Sequence, residues 1–317
     1  MRKALVVGID YYEEIKNLFG CVNDAYSVKS VLERNSDGTK NFDVKLETAT
    51  GSDNAISKKE LKNEIIELFK DKLDIALFYF SGHGYIESTG GYLLTSDCKD
   101  GDDGLSMNEL LHIVNDSPSR NKLIILDSCH SGVMGKTSPK EDKSMLAEGI
   151  TILTASSENQ YALEEEGSGV FTSLFVDAMN GSASNLVGDI TPGSIYAHID
   201  QSLGLWEQRP VFKTNVTNFT TLRKVQAPIH LEDLRKITTL FNSKGEEFQL
   251  DPSFEPESDN PNKENTAKFA LLQKYNRINL VIPIDAPHMW HAAMNSKSCK
   301  LTILGEHYWN LVKKNRI

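Results

Sequence analysis

Hydrophobic residues in this chain follow two recurring patterns. Short continuous runs, rich in β-branched and aromatic residues, are typical of strands buried on both faces of a parallel sheet. Between these runs, hydrophobic residues recur every three or four positions, as on the buried face of a helix. The predicted strands cover residues 3–9, 45–48, 75–80, 122–126 and 150–155, with a hairpin arm at 90–94 and an edge strand at 210–212. This alternation predicts an α/β domain with a doubly wound, largely parallel sheet.

Polar residues and glycines mark where several helices begin and end. Ser57 with Glu60, and Ser106 with Glu109, have the spacing of capping boxes, and hydrophobic faces at helical spacing follow both pairs. Gly181 follows another helical stretch and suits the position just after a helix. Further helices are predicted at about 23–34 and 194–203.

The composition limits the classes of function. The 317 residues exceed one average domain, and a hydrophobic content of 39% is ample for a core. A net charge of −10 argues against nonspecific nucleic-acid binding by the chain as a whole. No run approaches the roughly 18 apolar residues of a membrane span, and the apolar start is too short for a secretory signal. Four irregularly spaced cysteines make no disulfide framework. We expect a cytoplasmic protein with a usable thiol and no membrane partner.

Two predicted strands end in residues capable of acid–base or nucleophilic chemistry. The run 75–80 leads into Ser81-Gly82-His83-Gly84, and the run 122–126 leads into Asp127-Ser128-Cys129-His130. Ligands of open α/β sheets bind outside the carboxyl ends of the strands. An imidazole placed there beside a thiol can help to form the thiolate and can later protonate a leaving amine. We predict His83 and Cys129 as a catalytic pair, with the amides of Gly84 and Cys129 as the oxyanion hole.

Two acidic residues are expected beside this pair. Residues i and i+2 of a strand face the same side, so Asp127 projects next to Cys129. Asp24 lies near the exit of the first strand, on the same edge of the sheet. Two carboxylates there favour an Arg or Lys side chain in the pocket. For Asp24, the alternative is an acid at a helix N-terminus, stabilised by the helix dipole.

Three motifs of this chain resemble those of the caspase-like cysteine peptidases, in the metacaspase and prokaryotic branch. They are Phe80-Ser81-Gly82-His83-Gly84, Asp127-Ser128-Cys129-His130-Ser131-Gly132 and Gly20-Cys21-Val22-Asn23-Asp24-Ala25. The resemblance covers about residues 1–222 and implies a caspase-like three-layer α/β/α sandwich with a Cys-His dyad. It also implies that Asp24, Ser81 and Asp127 line a pocket for basic side chains, and that Ser156 contacts the substrate backbone. A local hydrogen bond explains Ser156 equally well.

The resemblance raises two further expectations, calcium binding and self-processing. Many metacaspases need calcium, and hard oxygen ligands are supplied here by Asp97, Asp100, Asp102 and Asp103. Met107 and Asn108 stand where an acidic pair is expected, so we favour a solvated acidic loop and no required cofactor, with calcium as the alternative. Self-processing sites for a protease specific for basic residues are offered by Lys136, Lys140 and Lys143. Ordinary surface lysines are an equally good interpretation.

Residues 223–317 differ from the preceding part in composition and hydrophobic pattern, and they are predicted to form a small α+β module. Residues 243–268 are polar and rich in Asn, Glu, Ser and Pro, which predicts a mobile segment. The spacing Leu301-Thr302-x-x-Gly305-x-x-Tyr308-Trp309 resembles the ending of some winged-helix modules. We expect a regulatory or partner-binding module.

The main functional prediction is a regulated cysteine endopeptidase that cuts after Arg or Lys in proteins or peptides. An upstream activator or sensor protein is expected because an uncontrolled cytosolic protease is toxic, and the resemblance suggests cell-death or defence pathways. One alternative is a related peptidase with another preference at the cleavage site, against which Asp127 counts. The other is an inactive scaffold that binds partners through its C-terminal module, against which the presence of both His83 and Cys129 counts.

Overall fold

The computed structural model describes residues 1–87, 89–128, 136–138, 141–155, 164–165, 168–204 and 209–317. These residues form two compact units, Met1–Gln226 and Ala227–Ile317. The strands of the first unit are β1 (Arg2–Ile9), β2 (Asp43–Ala49), β3 (Ile75–Ser81), β4 (Gly84–Glu87), β5 (Gly90–Leu93), β6 (Leu105–Ser106), β7 (Asn121–Asp127), β8 (Lys136–Ser138), β9 (Glu141–Ser144), β10 (Ile150–Thr154), β11 (Glu164–Glu165), β12 (Ser168–Gly169), β13 (Asp189–Ile190), β14 (Val211–Asn215) and β15 (Arg223–Lys224). Its helices are α1 (Cys21–Glu33), α2 (Lys58–Phe69), α3 (Met107–Asn115), α4 (Val170–Asp177) and α5 (Pro192–Ser202).

A six-stranded sheet forms the centre of this unit, in the order β14-β10-β7-β3-β1-β2. Neighbouring strands from β10 to β2 are parallel, whereas β14 runs antiparallel to β10 at the edge. Ser81 at the end of β3 pairs with Gly8 on one side and with Asp127 on the other. The carboxyl ends of β1, β3 and β7 therefore meet at one edge, which we call the carboxyl edge of the sheet.

Hydrophobic residues of the central strands face both sides of the sheet. In β1, Leu5, Val7 and Ile9 join one core cluster together with hydrophobic residues of α2 and α3. Ala4 and Val6 point to the opposite face and join a second cluster with residues of α1, α4 and α5. Helices thus cover both faces because every central strand must bury two hydrophobic faces. The expected three-layer α/β/α sandwich with a mostly parallel sheet is confirmed.

Helix α1 begins in close contact with β1. A Cβ added to Gly8 would lie 2.4 Å from the carbonyl oxygen of Cys21, so only glycine permits this approach. The Asp10 carboxylate accepts hydrogen bonds from the amides of Cys21 (2.9 Å) and Val22 (3.4 Å) and so satisfies free donors at the helix start. These contacts hold the first turn of α1, including Asp24, at the carboxyl edge.

The two predicted capping boxes have different outcomes. At α2 the box is complete, because Ser57 accepts from the Glu60 amide while the Glu60 carboxylate accepts from the Ser57 amide. At α3, Ser106 does cap the helix, by accepting from the Asn108 amide at 3.3 Å. Glu109 instead makes an ion pair of 2.6 Å with Lys62 on α2. The prediction for Glu109 was wrong because a cation on the neighbouring helix provides a charged partner for its carboxylate.

The second unit combines a small antiparallel sheet with five helices. Its strands β16 (Glu247–Gln249), β17 (Val281–Pro283) and β18 (Ser298–Leu301) form a sheet in the order β16-β18-β17. Its helices are α6 (Leu231–Arg235), α7 (Ile237–Leu240), α8 (Lys263–Arg277), α9 (Met289–Met294) and α10 (Ile303–Lys313). The indole nitrogen of Trp309 donates to the carbonyl oxygen of Phe241 at 2.7 Å within its core.

The segment 243–268, which the sequence predicts to be a mobile loop or linker, contains regular secondary structure. The structure has there the strand β16, a 3₁₀ turn at Pro252–Phe254 and the first turns of α8. Leu250 and Phe254 are buried, and the ring of Phe254 packs against those of Phe248 and Phe269. A few buried hydrophobic residues are enough to hold a polar segment against the core. The average composition of the segment does not show them.

The longest described helix is α8, with 15 residues. In the part of the chain that the structure describes, no helix combines the length and the hydrophobicity that crossing a membrane requires.

Candidate active site

His83 lies two residues beyond β3, on a turn held by hydrogen bonds from two directions. The Gly82 amide donates to the carbonyl oxygen of Asp127 at 3.4 Å, which continues the contact between β3 and β7. The His83 amide donates to the hydroxyl of Tyr12 at 2.8 Å. Tyr12 is buried, with 2% of its surface exposed. The backbone at His83 is therefore anchored to the loop that follows β1.

The imidazole of His83 has a defined orientation. Its Nε2 atom lies 2.7 Å from the carbonyl oxygen of Lys16, and the ring of Tyr12 packs against it at a centroid distance of 4.8 Å. A carbonyl oxygen only accepts hydrogen bonds, so Nε2 carries the proton in this contact. In the neutral ring, Nδ1 is then the atom that accepts a proton. In this tautomer, Nδ1 has the free lone pair that a general base needs.

We expect replacement of Tyr12 by phenylalanine to destabilise the fold. The ring stays, but the half-buried His83 amide loses its hydrogen-bond acceptor, and a hydrogen bond of this kind contributes about 0.5–1.5 kcal/mol. The free energy of unfolding from denaturant titration measures the loss. Replacing the exposed Tyr26 by phenylalanine is the control, and equal stability of both variants would contradict the anchoring role of Tyr12.

Cys129 lies outside the described residues. It follows Asp127 by two positions, as His83 follows Ser81, and Asp127 and Ser81 are paired in neighbouring parallel strands. Ser128 leads out of β7 and is buried. The chain thus leaves β7 at the carboxyl edge, where His83 also lies.

The other three cysteines are unsuited to nucleophilic chemistry. Cys21, Cys98 and Cys299 are buried free thiols. Burial raises the pKa of each, that of Cys299 to about 12. A buried thiol with a raised pKa forms little thiolate at neutral pH. Since the chain has four cysteines, Cys129 is the one left as a candidate nucleophile.

Asp24 and Asp127 form a buried acidic pair beside this turn. Only 2% of Asp24 and 6% of Asp127 is exposed. Both lie against Gly169, the residue before α4. A Cβ added to Gly169 would be 2.3 Å from Oδ2 of Asp127 and 3.1 Å from Oδ2 of Asp24. The two carboxylates therefore surround the same small space.

Hydrogen-bond donors from three elements contact the acidic pair. Asp24 accepts from the Ser81 hydroxyl at 3.2 Å and from the Gly169 amide at 3.1 Å. Asp127 accepts from the Thr172 hydroxyl at 2.7 Å. Ser81 and Gly169, which donate to the Asp24 carboxylate, lie outside α1. Asp24 also lies in the first turn of α1, and its role in a pocket stays a prediction.

The Gly84 amide is not used in the β4–β5 ladder. The Leu94 amide donates to the carbonyl oxygen of His83 at 3.0 Å, and Gly84 pairs with Leu93 in the antiparallel β4–β5 ladder. Hydrogen-bonded and non-hydrogen-bonded pairs alternate along such a ladder. The Gly84 amide therefore points away from β5.

Other predicted site residues are only partly described. Ser156 and Lys140 lie outside the described residues, while Lys136 and Lys143 belong to the paired strands β8 and β9. The structure does not gather the four calcium candidates, Asp97, Asp100, Asp102 and Asp103, into a metal site. Asp97 accepts from the Thr95 hydroxyl at 2.7 Å and from the Lys58 amide at 3.1 Å. Within the described ranges, no three His, Cys, Asp or Glu residues are grouped as metal ligands.

Sequence reasoning missed four contributors to this site. They are Tyr12, the carbonyl group of Lys16, Gly169 and Thr172. A backbone carbonyl leaves no signal in a sequence. Gly169 and Thr172 lie at the start of α4, far along the chain from the motifs, and only the packing of α4 on β3 and β7 brings them to the acidic pair.

The doubly wound sheet, with a histidine and an acidic pair at its carboxyl edge, fits the caspase-like fold that the sequence motifs indicate. A family model described as Caspase domain matches residues 1–236. This chain therefore belongs to the caspase-domain family.

Relatives and solved structures agree with this assignment. Metacaspase-1 of Meyerozyma guilliermondii is 32% identical over 156 residues, which cover 41% of this chain and 35% of that protein. Metacaspase-1 of Plasmodium falciparum is 30% identical over 148 residues, which cover 41% of this chain and 24% of that protein. The chain spans about a third of the length of the first curated relatives it matches. Caspase-1 from Spodoptera frugiperda shares the fold, with a TM-score of 0.52, 15% identity, and coverage of 73% of this chain and 92% of that chain.

Proposed function

We propose that this protein is a cysteine endopeptidase that hydrolyses peptide bonds after Arg or Lys. In this proposal Cys129 is the nucleophile and His83 is the general base and later the general acid. The observation that carries it is the acidic pair beside the His83 turn, because two buried carboxylates at that edge suit a cationic side chain. Membership of the caspase-domain family supports the reaction class.

The geometry supports a specific division of roles. The Lys16 carbonyl holds the proton on Nε2 of His83, so Nδ1 is available for the thiol proton. The resulting thiolate attacks the carbonyl carbon of the substrate. The Gly84 and Cys129 amides then stabilise the oxyanion. Nδ1 returns the proton to the leaving amine, and an activated water hydrolyses the acyl-enzyme. Asp24, Ser81 and Asp127 bind the basic side chain, and Ser156 contacts the substrate backbone.

Burial of the acidic pair supports regulation of this activity. Both carboxylates are almost completely covered, and the Gly169 amide contacts Asp24 directly. A substrate side chain must displace a neighbouring group before it reaches them. We propose that an upstream activator or sensor protein promotes this opening, and that the enzyme serves a cell-death or defence pathway in the cytoplasm.

Probe labelling and substrate profiling test the proposed function. Wild-type protein is expected to react covalently with an arginyl chloromethyl ketone, whereas the Cys129→Ala variant is not. A positional peptide library, with and without calcium, is expected to show cleavage after Arg and Lys. Absence of labelling together with absence of cleavage would favour an inactive scaffold, and cleavage after other residues would favour a different pocket.

We expect Gly169→Ala to impair cleavage after basic residues. The backbone at Gly169 (φ −66°, ψ 132°) is accessible to alanine, so the added methyl group acts only through its contact with the acidic pair. Overpacking of this kind costs about 1–3 kcal/mol, which corresponds to a loss of roughly 5- to 150-fold in kcat/KM.

Gly51→Ala is the matched control for this substitution. A Cβ there meets no atom within 4 Å, and the residue is distant in sequence from the site motifs. Both variants change the entropy of the unfolded chain similarly. Equal kcat/KM values for an arginyl substrate in the two variants would show that residue 169 does not limit the pocket.

A further inference from the structure

Two buried hydroxyl groups connect the core of the first unit to Asp127. The Tyr79 hydroxyl, on β3, lies 2.5 Å from the Thr172 hydroxyl, on α4. The Thr172 hydroxyl donates to Oδ2 of Asp127 at 2.7 Å. Tyr79 is completely buried and Thr172 is 1% exposed. We call these three residues the hydroxyl relay.

The number of hydroxyl protons determines which group donates in each hydrogen bond of the relay. A threonine hydroxyl has one proton and two lone pairs. Thr172 uses its proton on Asp127, so it accepts the proton of Tyr79. Burial raises the pKa of Tyr79 well above its usual value, and the charges of Asp127 and Asp24 raise it further. Tyr79 therefore remains a donor, and every hydroxyl proton of the relay points toward Asp127.

We propose that Thr172 and Tyr79 are positioning residues that orient the Asp127 carboxylate and thereby set the selectivity of the pocket for Arg and Lys. This inference rests on the proposed function, which assigns Asp127 to the pocket. Neither hydroxyl touches the substrate. Their contribution is to hold Oδ2 of Asp127 against α4, so that the plane of the carboxylate has one orientation.

The physical reason is the softness of the carboxylate torsion. The terminal torsion of an aspartate is broad and nearly two-fold, so side-chain packing alone leaves its plane poorly defined. A hydrogen bond to a charged group is stronger than one between neutral groups, and α4 and β3 supply it from rigid elements. An oriented carboxylate can meet the fixed donor geometry of a guanidinium.

Thr172→Val is the variant that tests the relay. It keeps the shape of the side chain and removes its proton. We expect KM for an arginyl peptide to rise about tenfold, the size of one lost hydrogen bond to a charged group, with kcat nearly unchanged. A peptide with citrulline in place of arginine, which has the same shape without the charge, should be cleaved as by wild type. The ratio of kcat/KM for arginine over citrulline therefore falls about tenfold.

Three other variants separate the relay from general packing. Thr172→Ser keeps a hydroxyl at this position, so its ratio of kcat/KM for arginine over citrulline is expected to be close to that of wild type. Tyr79→Phe leaves the Thr172 proton in place but removes its orienting donor, so an intermediate loss is expected. Thr151→Val is the matched control, since this buried threonine on β10 pairs only with the Thr214 hydroxyl among the contacts described, at 2.9 Å. It should leave the ratio unchanged.

The outcomes separate failure of the inference from failure of the proposed function. If wild type cleaves after arginine and Thr172→Val and Tyr79→Phe keep the wild-type ratio, the relay is refuted and the proposed function stands. If wild type does not distinguish arginine from citrulline, the pocket assignment fails and the relay fails with it. If Thr172→Val does not fold, as judged by circular dichroism and thermal unfolding, Tyr79→Phe and Thr172→Ser decide: an unchanged ratio in Tyr79→Phe refutes the relay.

Discussion

Replacing His83 by alanine is expected to lower kcat about 10²- to 10⁴-fold, the range that a positioned general acid–base contributes. The Nε2 contact with the Lys16 carbonyl shows that the ring is held in one tautomer, with Nδ1 left to exchange the reacting proton. Without the ring, the thiol has no base to accept its proton. Steady-state kinetics with an arginyl peptide measures the loss.

His112→Ala is the control for this substitution. His112 is exposed on α3, so its removal changes charge and composition in the same way without touching the site. Its kcat should stay within about twofold of wild type. If kcat of the His83→Ala variant also stays close to that of wild type, His83 is not the general base.

Replacing Asp127 by asparagine or alanine is expected to abolish selectivity for basic residues. Truncating one partner of a buried charge pair costs about 2–5 kcal/mol, which corresponds to a loss of roughly 30- to 5000-fold in kcat/KM for an arginyl substrate. The asparagine variant preserves the shape of the side chain, so the fold should survive. Kinetics with arginine and citrulline peptides separates loss of charge recognition from loss of catalysis.

Asp53→Asn is the charge-matched control for the Asp127 variants. Asp53 is exposed in the turn between β2 and α2. Its neutralisation should leave kcat/KM unchanged for both the arginine and the citrulline peptide. Labelling of Asp127→Asn by a chloromethyl ketone with a neutral side chain should persist, since the nucleophile is intact. Unchanged turnover of the arginyl peptide by Asp127→Asn would refute the pocket assignment, whatever the result for His83.

Much of the fold follows from local patterns in the sequence. The runs at 3–9, 75–80 and 122–126 are strands because a continuous hydrophobic run fits a strand buried on both faces. The structure extends each of them by one residue, at one end or at both ends. The capping box at Ser57 is also a local feature, because both of its hydrogen bonds join residues within a stretch of four.

Errors arose where a distant partner changed a local preference. Glu109 has the spacing of a capping residue, yet Lys62 on another helix takes its carboxylate. Phe254 stands in a polar stretch that resembles a linker, yet Phe248 and Phe269 pack against it. Local propensity is weak enough for such contacts to override it.

The amino-acid sequence by itself determined the class of this protein, the order of the central elements and the presence of His83 and Asp127 after neighbouring strands. These features depend on hydrophobic period and on motifs within a few residues. Only the tertiary structure decided which groups serve those side chains: the Lys16 carbonyl and Tyr12 at His83, and Gly169 and Thr172 at the acidic pair. The reason is physical, because hydrogen bonds between residues far apart in the chain depend on the packing of whole helices and strands, which no local pattern records.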